Sequence, residues 1–358
     1  MSTPEQQPNT PNLQSLESEL SLSKAEMEEF RKLPKEEQKK QKDEKLAKLN
    51  NLNDKLDQLI QEAIQTGQIE EAIKLKKRLE KEIKDLEEKF SIGETLSVDI
   101  AREIMEKNEK GRFFGPEEVE VAFGQKIENI PAIPFTEKEL EIARENNQFL
   151  VLRLDKLPDG TPLTMENMNT LLQGKLKAGK DYKILYNTDW YKDEDFYKKD
   201  IPKLSWTLVS KETVTTTKSK NYFEQTELLL TYAKSIAEDN TPFKKALDEA
   251  EIEFNQSKQQ IASLVDSDWK KSADLLSQLK ITKLLRHNPT EVIYDALIRL
   301  QNNTNDIMTK DEYIWTNGRS SDGDFVDVGD AGSGGVAVPR YGPGDRYDDL
   351  GASFSRSV

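Results

Sequence analysis

After Trp315 the chain loses its helix vocabulary. The 43 residues from Thr316 to Val358 contain no Lys, Glu, Gln, Met or Trp, and all 40 Lys and 39 Glu lie at or before Glu312. At the density of the first 315 residues, such a stretch should carry roughly 11 Lys and Glu. Lys, Glu, Gln and Met are strong helix formers, and the tail without them reads as short strands separated by glycine-rich loops. In their place stand Asn317-Gly318-Arg319-Ser320-Ser321-Asp322-Gly323-Asp324, then Gly332-Ser333-Gly334-Gly335, then Tyr341-Gly342-Pro343-Gly344-Asp345-Arg346-Tyr347. The rest of the chain is ordinary and helix-rich, which marks the tail as the seat of function.

Upstream, the pattern divides the chain. Residues 1–34 are rich in Pro, Gln, Asn and Ser and read as disordered. From Lys35, Leu46, Leu49, Leu52, Leu56, Leu59 and Ala63 step by three and four, break at Thr66-Gly67-Gln68, and resume through Ile69, Ile73, Leu79, Ile83, Leu86 and Phe90. Two such helices joined by a glycine turn predict an antiparallel, coiled-coil-like hairpin arm over 35–90, a spacer or a means of homo-oligomerisation. A helical connector over 91–135 has helices near 97–110 and 116–123. In the body, 136–358, Thr136 with Glu139 forms a capping box for a helix to Glu145, and Thr164 caps a helix to about Gln173. Residues 148–155, 183–186 and 204–210 read as strands, with Trp190 and Trp206 as core anchors. Helices are predicted over 220–238, 242–265, 268–279 and 289–303. Short strands at 313–315, 325–328, 336–338 and 352–355 close the chain.

The 358 residues carry a net charge of −14, which argues against nucleic acid as a partner. With no cysteine there is no disulfide, thiol nucleophile or cysteine-bound zinc. The single histidine, His287, precedes Asn288-Pro289 at an expected helix start and reads as a loop or capping residue. The start has neither a basic nor an apolar signal region, and no run of 18 apolar residues exists. Membrane insertion is therefore not expected, and the default compartment is the cytoplasm, with surface display by an unrecognised route as the alternative.

Asp322-Gly323-Asp324, followed by Asp327 and Asp330, resembles a calcium loop. Val326 and Asp327 stand where that loop needs a ligand and a glycine, however, and no Glu comes after them. Gly332–Gly335 is a weak phosphate-loop candidate, since no Gly-Lys-Ser/Thr follows and no long helix opens after it. No acid–base pair, metal set or cofactor site can be named, so catalytic residues, metals and cofactors are all expected to be absent. Tyr and Arg among Gly, Ser, Asn and Asp are the composition of binding loops. Alternation of Phe325, Val326 and Val328, then Val336 and Val338, with small or polar residues argues against a flexible tail.

Tyr313-Ile-Trp315-Thr316, followed by Ser320-Ser-Asp-Gly323, Phe325-Val-Asp-Val-Gly329, Gly335-Val-Ala-Val338, a Pro-Gly turn and Asp349-Leu-Gly-Ala-Ser-Phe-Ser-Arg356, resembles the C-terminal C-type-lectin-like region of variable proteins diversified by retroelements. The run from Glu145 onward is similar to proteins of candidate-phylum bacteria that end in this way, on the formylglycine-generating-enzyme-like branch. In such systems an error-prone reverse transcriptase mutates adenines in codons ending in a pyrimidine. Codons of that kind never encode Lys, Glu, Gln, Met or Trp, the five types absent after Trp315.

The resemblance implies that the first strand of the fold pairs with the last, 148–155 beside 352–357, with Trp315 and Phe354 as scaffold. It implies a variable region over about 316–348, with Asn317, Gly318, Arg319, Asp324, Asp327, Asp330, Ala331, Ser333, Ala337, Arg340, Tyr341, Asp345, Arg346 and Tyr347 facing the ligand. The chain lacks the Arg-Gly-Gly-Ser-Trp stretch of formylglycine-generating relatives, so no such activity is implied. The expected fold is α+β: a hairpin arm, then helices, then a C-type-lectin-like domain with helical insertions. The expected function is binding of an unknown protein or cell-surface ligand by a hypervariable surface. The alternative is a coiled-coil structural or scaffolding protein with a disordered tail.

Overall fold

The computed structural model describes residues 96–357, apart from Gln125, Glu128, residues 177–181, Asn240 and residues 303–309. The expected disordered start and hairpin arm lie outside the described residues. The described part of the chain is mixed α+β, with two mixed sheets.

Local signals set the first elements. Ser97 caps helix α1 (Val98–Glu106). Helix α2 (Pro116–Phe123) has proline in its first turn and ends at left-handed Gly124. Between them lies β1 (Phe113–Phe114). Helix α3 (Glu137–Glu145) opens with the expected capping box: the Glu139 N–H donates to Thr136 Oγ1 at 3.1 Å and the Thr136 N–H to Glu139 Oε2 at 3.0 Å. Strands β2 (Gln148–Arg153) and β3 (Ser205–Ser210) are buried along their whole length and pair antiparallel, Gln148 opposite Ser210 and Arg153 opposite Ser205. Between them fall α4 (Met165–Leu172), capped by Thr164, and the single turn α5 (Asp195–Lys198).

The first sheet runs β1-β2-β3-β9, with β9 (Ser355–Ser357) antiparallel to β3. The expected pairing of 148–155 with 352–357 is therefore corrected. Both edges of β2 are taken, by β1 in parallel and by the six-residue β3, so the C-terminal strand joins the open edge of β3.

The second sheet is built from the tail: β4 (Tyr313–Arg319), β5 (Phe325–Gly332), β6 (Gly335–Ala337), β7 (Arg340–Tyr341) and β8 (Leu350–Gly351). Its order is β6-β5-β4-β8, with β7 on β5. The strand expected at 183–186 makes a single bridge, Leu185 to Val336. Ala352–Phe354, expected as strand, instead crosses from one sheet to the other. Its carbonyls accept from the Val214 and Ser210 N–H groups, and its first N–H donates to Thr217 Oγ1.

The helices cover both faces of the second sheet. Helix α6 (Tyr222–Ile236) starts with an Asn221–Glu224 capping box. Helix α7 (Pro242–Leu264) begins at a Thr241 cap, and α8 (Trp269–Gln278) and α9 (Lys280–Leu285) come after it. These pack Tyr222, Phe254, Ile261 and Leu276 into one core with Trp315, Phe325, Leu350 and Phe354. On the other face runs α10 (Pro289–Asn302), whose residues are buried all round from Pro289 to Gln301 apart from a half-buried Glu291, as expected of a helix enclosed on every side. Its Val292, Ile293 and Leu297 share a core with Phe149–Leu152 of β2 and with Ile314, Val326 and Val328.

Candidate ligand-binding surface

Strand parity sorts the tail. On β5, Val326 and Val328 face the α10 core, while Phe325 faces the α6–α9 core, its ring stacked on Tyr222 at 3.7 Å. On β4, Ile314 and Trp315 divide in the same way. Trp315 and Phe354 are both fully buried. Of the expected anchors Trp206 is buried, and Trp190 is half-buried with its indole N–H donating to the Val338 carbonyl at 2.9 Å.

Three of the expected ligand-facing residues point inward and are corrected. At Gly318 an added Cβ would collide with Pro289 Cγ, so the first residue of α10 occupies the space a side chain would need. Ala331 is buried in the α10 core, because an irregular register between Gly329 and Gly332, with Asp330 in the left-handed region at φ 48°, turns it to the side of Val326 and Val328. Asp327 is fully buried, and neither carboxylate oxygen has a hydrogen-bond partner among the described residues. Asn317 is half-buried and structural: its N–H donates to the His287 carbonyl at 2.8 Å and its Nδ2 to the Arg286 carbonyl at 3.2 Å.

The remaining candidates lie wholly or partly at the surface, most of them in two linked groups. Arg340 pairs with Asp322 at 2.6 Å and Asp324 at 3.9 Å and lies over the Trp190 ring, 4.7 Å from its centroid. Burial raises the Asp324 pKa; Arg340 opposes this while Asp322 and Asp345 add to it, which places Asp345 in the same field. Arg319 is held by the Gly323 carbonyl and Asp274 and lies over Phe325. In the second group the Tyr341 and Tyr347 rings are 4.7 Å apart, Asp345 Oδ2 accepts from the Gly342 N–H at 2.9 Å, and Arg346 pairs with Glu224 at 3.1 Å. Tyr347 is 42% exposed. Asp330 and Ser333 are exposed near the β5–β6 turn, and Ala337 on β6 is half-buried. Sequence reasoning missed Tyr313 and Asp349, which belong with the second group: burial raises the Tyr313 pKa to about 12, with Asp330, Asp327 and Asp349 adding to it. Tyr313 shares parity with Trp315, a signal that was available.

His287 is a second thing the sequence did not reveal. It is fully buried, its Nε2 3.2 Å from Ser353 Oγ and its Nδ1 3.6 Å from Asp295 Oδ2. These are the parts of a nucleophilic triad, wired otherwise. Arg153 Nη2 lies 2.9 Å from Nδ1 and is an obligate donor, so Nδ1 accepts and the proton sits on Nε2, toward Ser353. A base for Ser353 needs the opposite tautomer. Burial lowers the His287 pKa well below its ordinary value, with Arg153 and Arg286 adding to the shift, so the ring stays neutral. The cluster joins β2, α10 and the sheet crossover: Arg153 also reaches Asp295 at 2.5 and 3.0 Å, Glu291 at 3.3 Å and Ser355 Oγ at 3.3 Å.

A groove of about 490 Å³ lies between α6 and residues 210–216. Its Thr213, Thr231, Tyr232 and Ser235 hydroxyls are bonded within the chain, while the buried Ser210 Oγ has no hydrogen-bond partner among the described residues. Among the described residues, no cluster of His, Asp and Glu could hold a metal ion, and no helix is long and apolar enough to cross a membrane. Comparison of the chain with protein families, with curated proteins and with solved structures finds no match.

Proposed function

We propose that this chain is a ligand-binding protein whose C-terminal, C-type-lectin-like end displays a hypervariable surface diversified by a retroelement, with no catalytic role. One observation carries the reading. The segment free of Lys, Glu, Gln, Met and Trp is also the one whose strands are packed on both faces while Arg340, Tyr341, Arg346 and Tyr347 reach solvent. A rigid sheet holding aromatic and arginine side chains at loop positions supplies contact area at low entropic cost. The tail is strand and turn through Ser357, which speaks against a disordered extension. The partner is a protein or cell-surface ligand met by this surface.

Sequencing the 316–358 coding region across a population, with its flanking DNA, tests the reading. Substitutions should concentrate at exposed positions such as Asp322, Ser333, Arg340, Tyr341, Arg346 and Tyr347. Gly318, Asp327 and Ala331 should stay fixed, and an adenine-rich copy should lie beside a reverse-transcriptase gene. An invariant tail without such a copy would remove the diversified reading.

A further inference from the structure

The Asp327 carboxylate is the least satisfied charged group in the described chain. On β5 it comes after Phe325 and before Gly329 on one face of the sheet. Trp315 stands opposite it on β4, Tyr313 opposite Gly329, and Tyr341 of β7 opposite Phe325. Both Asp327 oxygens are buried without a hydrogen-bond donor, and the Trp315 indole N–H across from them has no acceptor either, so the pair does not satisfy itself. An ionised carboxylate in such a place costs several kcal/mol unless a cation answers it. Packing alone would favour an apolar residue here.

The surroundings supply more negative charge and three aromatic rings. Tyr313, Tyr341 and Tyr347 form the partly exposed rim. Burial raises the Tyr341 pKa, and Asp327, Tyr347, Asp349 and Asp345 add to it, which puts these groups in one field. Asp327, Asp330 and Asp349 have no ion-pair partner among the described residues. Arg346 is engaged by Glu224, Lys218 by Glu312, Arg319 by Asp274, and Arg340 by Asp322 and the Trp190 ring. Tyrosine faces above an unpaired carboxylate attract organic cations, by ring quadrupole and by charge together.

We propose that the Tyr313–Tyr341–Tyr347 rim over Asp327 binds the basic head group, guanidinium or ammonium, of an arginine or lysine side chain on a protein partner. The proposal rests on the reading of the tail as a binding surface and names its chemistry. The rim is open, with Tyr347 well exposed, which suits a side chain offered from another surface. Burial favours the protonated Asp327 carboxyl in the free chain. A cation on the rim offsets that penalty, so Asp327 gives up its proton as the cation binds and acts through the field of a low-dielectric interior rather than by contact, while Asp349 and the rings meet the cation. Arg346, whose head group is turned to Glu224, leaves the rim to the incoming charge.

The test is a titration of the full chain with blocked arginine amide and with blocked citrulline amide, a neutral analogue of the same shape, read by the tyrosine ring resonances. Arginine should shift the Tyr341 and Tyr347 rings and citrulline should not. Asp327→Asn, nearly isosteric, should weaken arginine binding by about tenfold, the equivalent of about 1.4 kcal/mol, and exposed Asp349→Asn should weaken it as well. Equal shifts from both probes, or unchanged affinity in Asp327→Asn, would overturn the proposal. If a blocked glutamate amide moves the same rings instead, the binding surface stands and its assignment to cations is wrong. If no probe moves them, the cation site is wrong, and whether the underlying reading also fails is decided separately by the variability of the tail.

Discussion

Arg153 on β2 and Asp327 on β5 are both fully buried ionisable groups in mid-sheet, and the molecule treats them in opposite ways. Around Arg153, two carboxylates, a neutral imidazole and a hydroxyl take up the guanidinium donors. Burial works against that charge, but Asp295 and Glu291 outweigh it, and the guanidinium holds its proton more tightly than a free one. Around Asp327 no side chain of the described residues answers the charge, and burial, opposed only by its own backbone N–H, pushes its pKa well above the ordinary carboxylate value. A completed polar network specifies a fold, whereas an incomplete one at the edge of an exposed aromatic rim is a place for something else to bind. On the proposed reading, the first sheet is the structural part of the molecule and the second is its working part.

The largest effect should come from cutting what joins them. Residues 350–357 place β8 beside β4 and β9 beside β3, with Phe354 buried between α6 and α7. Deleting Leu350–Val358 strips strand partners from both sheets, and burying Phe354 alone is worth about 1.5–3 kcal/mol. The truncated chain should fail to melt cooperatively by calorimetry. A sharp transition near the parent temperature would mean that the sheets do not depend on each other in this way. At the other extreme, changing Arg346 and Tyr347 together to Ala should alter stability by only ~0.5 kcal/mol, since both are exposed. A large fall in Tm would move them from the working surface into the core.

Much of the structural part was legible in the sequence because its signals are local. Thr136 with Glu139, Thr164, Thr241-Pro242 and Asn288-Pro289 mark helix starts by themselves, and the apolar runs at 148–153 and 205–210 mark strands. Long-range pairing was not legible. No local pattern says that β3 stands between β2 and the last strand, or that Arg153 will meet an aspartate 142 residues away. In the tail, alternation identified the strands at 313–315, 325–328 and 336–338 but misplaced one at 352–355, the shift between Gly329 and Gly332 reverses which side Ala331 faces, and the space at Gly318 is closed by Pro289. A one-residue change of register moves a side chain to the opposite face. Candidate surface residues in a short-stranded sheet are for that reason the hardest to name in advance.

The sharpest test of the contrast sets two conservative substitutions side by side. Asp295→Asn and Asp327→Asn each remove one buried carboxylate, and unfolding in denaturant is measured for both from acid to neutral pH. Asp295→Asn should lose about 3–5 kcal/mol at neutral pH by taking away the main partner of a buried arginine. Asp327→Asn should gain roughly 1–2 kcal/mol by removing an unanswered charge. Because the folded pKa of Asp327 is raised, the parent loses stability as pH rises through the unfolded carboxylate value toward the folded one. The gain from Asp327→Asn should therefore vanish at acid pH and grow toward neutrality. Opposite signs at neutral pH are the predicted result. Two losses of similar size would contradict the account, because Asp327 would then be as structural as Asp295.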